Sequence, residues 1–136
     1  EFGKYYSSTF ANGGLAASIA LRTLAIIKEQ NIPEKALLQG EKIRQKLNRI
    51  KTKYPSIISN VTGSGLMQGI EFSIQSNDTS AFLRNIHINE YSGLLYSSYL
   101  LNKHNIRIFP TLSAPNVLRI EPSAFISDSE IERFVQ

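Results

Sequence analysis

Three consecutive hydroxyl side chains near the start of the chain could hold a phosphate group. Ser7, Ser8 and Thr9 precede the glycine pair Gly13-Gly14, which opens an apolar segment. The first N–H groups of a helix have no partner within the helix, and together with the helix dipole they attract anions. Hydroxyl residues are also common helix caps, and on local grounds capping is the commoner role. The stretch therefore indicates either a helix cap or a phosphate site.

A single arginine stands among apolar residues in the segment NVLRIEP. Leu118 and Ile120 alternate with Arg119 and Glu121, which predicts a strand that is buried on one face only. The planar guanidinium group can bind a carboxylate through two parallel hydrogen bonds. Arg119 is therefore expected either to pair with an acid such as Glu121 or to receive an anionic ligand, and ion pairing is the commoner arrangement.

The glycines of GSGLMQG do not match a dinucleotide-binding loop. Gly63 and Gly65 lack a third glycine at the required spacing, and they lead into an alternating strand rather than a helix. We interpret Gly63, Gly65 and Gly69 as a tight turn between strands or as places where backbones approach closely.

The composition excludes several kinds of site. The chain of 136 residues has no cysteine, which excludes disulfides, cysteine-bound zinc, iron–sulfur clusters and a thiol nucleophile. Only His87 and His104 are present, so a metal site with several histidines is disfavoured and a serine–histidine pair must use one of them. No apolar run reaches the roughly 20 residues that span a bilayer. There is no signal-peptide pattern, and a cytoplasmic location is expected.

The net charge of +4 is concentrated in one basic stretch, residues 41–55. The stretch EKIRQKLNRIKTKYP has the spacing of an amphipathic helix, whose charges would face solvent. A nucleic-acid surface is the alternative, but no aromatic residues interleave with these charges as base stacking requires. No nucleic-acid partner is therefore expected.

Hydrophobic periodicity predicts the elements that must position these residues. In chain order they are a helix over 12–30 with only a narrow polar strip, a helix from Pro33 to Pro55, strands within 57–74, a loop or insertion over 75–90 with one helical turn, a helix over 91–103, strands in NIRIFP and NVLRIEP, and a helix capped by Ser127 and Glu130. This order predicts an α+β fold with helices on one face of a small, mostly antiparallel sheet. Residues 1–31 are expected to form a turn and linking helix, and residues 32–136 a small α+β domain.

Three motifs in one order resemble the C-terminal part of the class III aminotransferases. They are YSSTFANGGLA before a helix, VTGSGLMQGIEF after a basic amphipathic helix, and NVLRIEPSAFISDSEIERF near the end. These aminotransferases are pyridoxal-phosphate enzymes of fold type I, and the putrescine, ornithine and acetylornithine aminotransferases are among them. The resemblance covers most of the chain and implies transfer of an amino group from an amine or amino acid to a 2-oxo acid.

The resemblance also implies roles for individual residues. Thr9, with Ser8 beside it, matches a threonine that contributes to the cofactor phosphate site of the neighbouring subunit in a homodimer. Arg119 matches an arginine at the substrate end of the site, where it binds a carboxylate or pairs with an acid. No metal is implied.

The resemblance places the remaining catalytic parts outside this chain. The lysine that binds the cofactor is expected upstream of the turn, as is the large domain, so no catalytic residue is assigned here and the isolated chain is expected to be inactive. Two alternatives remain open. One is an aminomutase, racemase or decarboxylase with the same cofactor and fold. The other is a non-catalytic interaction module that retains the small-domain fold.

Overall fold

The structure is a computed structural model, and it describes residues 13–73 and 80–136. Its contacts divide the chain into two compact units, Glu1–Pro33 and Glu34–Gln136. The functional division predicted at residues 31 and 32 stays a prediction.

The first unit contains helix α1, Gly14–Glu29. The hydroxyl groups of Ser18 and Thr23 donate hydrogen bonds to carbonyls one turn earlier, so these polar side chains are accommodated on the helix itself. No α1 residue is buried, and Leu15 is 78% exposed. The predicted helix is thus confirmed over its described part, and most of its large apolar side chains lie exposed.

Helix α2, Ile32–Lys53, is the amphipathic helix predicted from the basic stretch. Pro33 lies in its first turn, where the missing N–H group is not needed. Ile43 and Leu47 are buried on one face. The opposite, charged face carries ion pairs, such as the 2.6 Å contact between Arg44 and Glu41.

Four antiparallel strands form one sheet in the order β1-β2-β4-β3. The strands are β1 Ile58–Ser64, β2 Met67–Phe72, β3 Phe109–Pro110 and β4 Val117–Ile120. Gly63 and Gly65 adopt φ values of 117° and 54°, which side-chain-bearing residues rarely adopt, so the predicted glycine turn between β1 and β2 is confirmed. The segment NIRIFP forms only the two-residue strand β3.

Three further helices complete the fold: α3 Ala81–Ile88, α4 Ser92–His104 and α5 Asp128–Val135. The buried core joins α2, the sheet and α5 through Ile43, Leu47, Ile108, Leu118, Ile120 and Ile131. Burial of such aliphatic side chains is the main stabilising contribution in a domain of this size. The prediction of an α+β fold with a small antiparallel sheet is confirmed.

Helix α3 corrects the prediction for residues 75–90. Within this range the structure describes residues 80–90, and Ala81–Ile88 form a helix of eight residues rather than one helical turn; the Ser80 hydroxyl accepts a hydrogen bond from the Leu83 N–H group. The helix was missed because its apolar residues do not form a core stripe: Phe82 is 70% exposed and Ile88 is 74% exposed. Residue Ile74, predicted in a strand, lies outside the described residues.

The predicted capping box of α5 is confirmed. Ser127 accepts a hydrogen bond from the Glu130 N–H group, and the Glu130 carboxylate accepts one from the Ser127 N–H group. Lys42 and Lys46 of α2 then pair with Asp128 and Glu132 of α5, at 2.6 and 2.5 Å. Polar contacts thus join α2 to α5 around the core residue Ile131.

These contacts predict that acid destabilises the fold partly through Asp128. The hydrogen bond from Lys42 lowers the pKa of the Asp128 carboxyl below its ordinary value. The folded state therefore binds this proton less readily than the unfolded state, so the stabilisation is present above the ordinary pKa of about 4 and is lost as the pH falls through the folded pKa. Urea denaturation at several acidic pH values is expected to show a shallower loss of stability in Asp128→Asn than in the unmodified chain. Equal slopes would contradict this prediction.

Candidate functional site

The described part of the predicted phosphate turn is the start of α1. Ser8 and Thr9 lie outside the described residues. Gly13 is the N-cap and has extended backbone angles, and its carbonyl accepts the first helical hydrogen bond, from the Ala17 N–H group at 3.0 Å. A Cβ atom added at Gly14 would meet nothing within 4 Å, so this helix start is sterically open. The N–H groups of Gly14, Leu15 and Ala16 precede the first residue that can bond within the helix.

Arg119 lies at the centre of β4. It stands opposite Gly69 of β2 and opposite Phe109 of β3. Its neighbours Leu118 and Ile120 are buried, with 1% and 6% exposure, whereas the Arg119 side chain is 55% exposed. The predicted alternation of the strand is therefore confirmed, and the arginine lies on the outer face.

The guanidinium group of Arg119 is paired with Glu121. The Arg119 Nε atom lies 3.1 Å from the Glu121 Oε2 atom, and the two side chains are 55% and 41% exposed. Of the two partners that the sequence allowed, the structure thus shows the acid. An exposed pair of this kind contributes about 0–1 kcal/mol, so it is a weak competitor for an incoming carboxylate. Ion pairing and ligand binding at Arg119 are therefore compatible.

Arg119 and Glu121 line a cleft of about 150 Å³ in the second unit. Arg107, which comes just before β3, lines the same cleft. Its apolar wall includes Ile108, Ile120, Ile126 and Phe134. The cleft thus combines an apolar wall with two cationic groups and one acid, an arrangement suited to a small organic anion.

A second polar site joins α3 to α4. The Nδ1 atom of His87 lies 2.5 Å from the Ser92 Oγ atom, and both residues are buried. With Glu90 and Asn116 they line a small cavity of about 80 Å³. The sequence required any serine–histidine pair to use His87 or His104, but the partner serine was not predicted because the intervening turn was not. The pair holds the end of α3 against the start of α4.

The part of the chain that the structure describes contains neither a candidate metal site nor a helix that could span a membrane. Residues 13–73 and 80–136 contain no group of three histidine, cysteine, aspartate or glutamate side chains that could hold a metal ion. In the same residues, every helix is too short or too polar to cross a bilayer.

Comparison with known proteins identifies one family. The family model "Aminotransferase class-III" matches residues 2–136. Putrescine aminotransferase from Pectobacterium atrosepticum is 33% identical over 131 residues, which cover 96% of this chain and 25% of that protein. Mitochondrial ornithine aminotransferase from Arabidopsis thaliana is 38% identical over 71 residues, which cover 52% of this chain and 15% of that protein. An S-selective transaminase from Arthrobacter sp. has a similar structure, with a TM-score of 0.75 and 26% identity over 96% of this chain and 29% of that chain.

These matches cover a larger share of this chain than of the relatives. This chain is matched almost throughout, yet it spans only about a quarter of the length of relatives such as the putrescine aminotransferase. The resemblance seen in the three sequence motifs is confirmed by the match over residues 2–136. The chain belongs to the class III aminotransferase family.

Proposed function

We propose that this chain supplies part of the active site of a pyridoxal-phosphate-dependent aminotransferase. The enzyme transfers an amino group from an amine or amino acid to a 2-oxo acid. The observation that carries this proposal is the family match over residues 2–136, together with an exposed arginine that opens into an apolar cleft. The homodimer is proposed from the family resemblance alone, and the cytoplasmic location from the sequence pattern alone.

The start of α1 fits the phosphate of the cofactor. The described first turn contains no acidic residue, and among the described residues a Cβ atom at Gly14 would meet nothing beside the first N–H groups of the helix. An anion is stabilised at such a helix start by the N–H groups and the helix dipole. We assign Ser8 and Thr9 to the same phosphate, with Thr9 serving the neighbouring subunit. When bound, pyridoxal phosphate supplies an electron sink for the negative charge that develops on the carbon bearing the amino group.

Arg119 then binds and orients the substrate. Its guanidinium group receives a carboxylate of the amino acid or 2-oxo acid through charge-assisted hydrogen bonds. Glu121 neutralises the same group while no carboxylate is bound, at the 3.1 Å distance seen here. The apolar wall of the cleft excludes water from one side of the bound anion, which strengthens these interactions.

The lysine of the reaction is proposed to lie outside this chain. Seven lysines fall within the described residues, and none of them is buried. Lys42 and Lys46 are paired with carboxylates of α5. A lysine that binds the cofactor must instead lie in a site that excludes water and lowers its affinity for a proton. The isolated chain is accordingly proposed to be inactive, with residues 1–31 as phosphate turn and linking helix and residues 32–136 as the small domain.

Chemical labelling tests the proposal directly. The native gene product that carries this sequence is incubated with pyridoxal phosphate, reduced with borohydride and analysed by mass spectrometry of its peptides. We expect one stoichiometrically labelled lysine outside residues 1–136, and no stoichiometric label in the 136-residue chain alone.

Thr9→Ala is expected to weaken cofactor binding, because it removes a hydroxyl from the phosphate site.

The control is Thr23→Ala in α1, which removes a hydroxyl that, within the described residues, bonds to the Ile19 carbonyl. It is expected to leave cofactor binding unchanged. A folded native protein without any labelled lysine would contradict the enzymatic proposal and favour the non-catalytic interaction module. A labelled lysine without amino transfer would favour an aminomutase, racemase or decarboxylase.

A further inference from the structure

Helix α4 presents large apolar side chains to the outside and small side chains to the fold. Leu94 and Leu101 are 54% and 47% exposed, and they lie seven residues apart, so they share one face of the helix. Ser98 lies exposed between them. The buried residues of this helix are Ser92, Gly93 and Ser97. A continuous stripe of exposed apolar side chains indicates a surface that contacts another protein.

The two leucines form one side of a groove between α4 and β3. The groove has a volume of about 220 Å³, and Phe109 of β3, which is 51% exposed, lines it with Ser98 and Ile108. The small serine leaves a hollow between Leu94 and Leu101, which stand as ridges on either side of it. A surface with apolar ridges and a hollow can pack against a copy of itself, because the ridges of one copy enter the hollow of the other.

The sequence of α4 has the symmetry that such self-packing requires. Residues 94–101, LLYSSYLL, read the same in both directions. Two antiparallel α4 helices can be related by a two-fold axis that passes between Ser97 and Ser98. Leu94 of each copy then meets Leu101 of the other, and the small serines at the crossing point let the two helix axes approach closely. We propose that this face of α4 binds a second copy of the chain in an antiparallel two-fold contact.

Charged residues at the two ends of α4 favour the antiparallel direction. Glu90 precedes the first turn and Lys103 lies in the last turn, and both are exposed. The same two-fold axis brings Lys103 of each copy towards Glu90 of the other. A parallel pair would instead align each of these charges with its own kind, and like charges in such positions repel. Charge complementarity therefore selects the same arrangement as the symmetry of the sequence.

The size of the contact predicts a weak dimer. Helix α4 has 13 residues, which give it a length of about 20 Å. A pair of such helices, with Phe109 beside it, buries less than the ~800 Å² per partner of a standard interface, and we expect a dissociation constant on the order of 100 μM. The contact involves neither the cofactor nor the lysine that binds it, so failure of this inference and failure of the proposed enzyme are distinguishable.

Sedimentation velocity of the full 136-residue chain tests the contact. We expect monomer to give way to dimer between about one tenth and ten times that dissociation constant. Leu94→Glu is expected to keep the chain monomeric over this range, because it sets a carboxylate against Leu101 of the other copy. The Leu94 side chain is exposed, so the variant is expected to fold, and circular dichroism checks this.

Leu21→Glu is the matched control, because it places the same charge on a leucine of α1 that is 68% exposed. It is expected to leave the dimer intact. An unmodified chain that stays monomeric at every concentration would overturn the proposal. A dimer that persists in Leu94→Glu, or one that is lost in Leu21→Glu, would overturn it as well.

Disulfide formation tests the register of the two helices. The chain has no cysteine, so an introduced thiol reports on a single position. Ser98→Cys is expected to form a disulfide-linked dimer on mild oxidation, because the two copies of this residue lie about 1.5 Å apart along the helix axes. Asn102→Cys, one turn further along, is expected to give no linked dimer, because its two copies lie about 14 Å apart. Equal or reversed yields of linked dimer would contradict the antiparallel contact.

Discussion

Replacement of Gly40 by alanine is expected to lower the free energy of unfolding by about 3 kcal/mol. Gly40 lies in α2, and a Cβ atom at this position would stand 2.0 Å from the carbonyl oxygen of Gly65 and 2.2 Å from its carbonyl carbon. Both atoms belong to the backbone of the turn between β1 and β2, so no side chain can rotate away to relieve the clash. Urea denaturation followed by circular dichroism measures the change.

The clash would also disturb a side chain that bonds to both backbones. Gln68 is buried, and its Nε2 atom donates hydrogen bonds to the carbonyls of Gly40 at 2.9 Å and Gly65 at 2.8 Å. Separation of helix and turn lengthens both bonds, and a buried polar group without partners costs about 1–3 kcal/mol. Packing and hydrogen bonding therefore act in the same direction.

The sign of this prediction is opposite to that of helix propensity. Alanine is more favourable than glycine inside a helix by about 1 kcal/mol, and propensity alone predicts stabilisation. Gly14→Ala is the control, because a Cβ atom there meets nothing within 4 Å. It is expected to leave the unfolding midpoint unchanged or to raise it slightly. A Gly40→Ala chain as stable as the unmodified one would show that α2 and the turn do not pack at this distance.

The sequence predicted elements well where local chemistry decides the outcome. The capping box of Ser127 and Glu130, the glycine turn at Gly63 and the amphipathic helix over the basic stretch each depend on residues a few positions apart, and all are present. Helix α3 was missed because its only buried residue is His87, which carries no hydrophobic signal. The sequence predicted a longer strand in the segment NIRIFP than the structure shows, because the length of β3 depends on its pairing with β4 and not on its own residues.

In the candidate site, too, the sequence predicted only what depends on neighbouring residues. The exposure of Arg119 followed from alternation with Leu118 and Ile120, which is a local property of one strand. Its cleft was not predictable, because Arg107 joins it from a different segment through the fold. Likewise, the preference of Arg119 for Glu121 could be named as an alternative but not decided, since side-chain geometry selects between partners of similar energy.

Substitutions of two adjacent residues of β4 should affect the stability of the fold and the binding of a carboxylate separately. Leu118→Ala is expected to lower the free energy of unfolding by about 2–5 kcal/mol, because Leu118 is 1% exposed and its removal leaves a cavity in the core. Arg119→Ala is expected to change it by no more than about 1 kcal/mol, because its ion pair with Glu121 is exposed. Urea denaturation of both variants, with glutarate titration of each folded chain, provides the two measurements.

The two substituted residues are neighbours in β4, but their side chains lie on opposite faces of the sheet. Each variant is therefore the control for the other. Arg119→Ala should weaken the binding of glutarate, a carboxylate of which Arg119 is proposed to receive, in a chain that remains folded. Leu118→Ala should retain binding in whatever fraction of the chain stays folded, since Leu118 does not line the cleft. If Arg119→Ala unfolded the chain as readily as Leu118→Ala, the arginine would be a structural residue. The carboxylate that it holds would then be Glu121 alone, and its proposed role in substrate binding would be wrong.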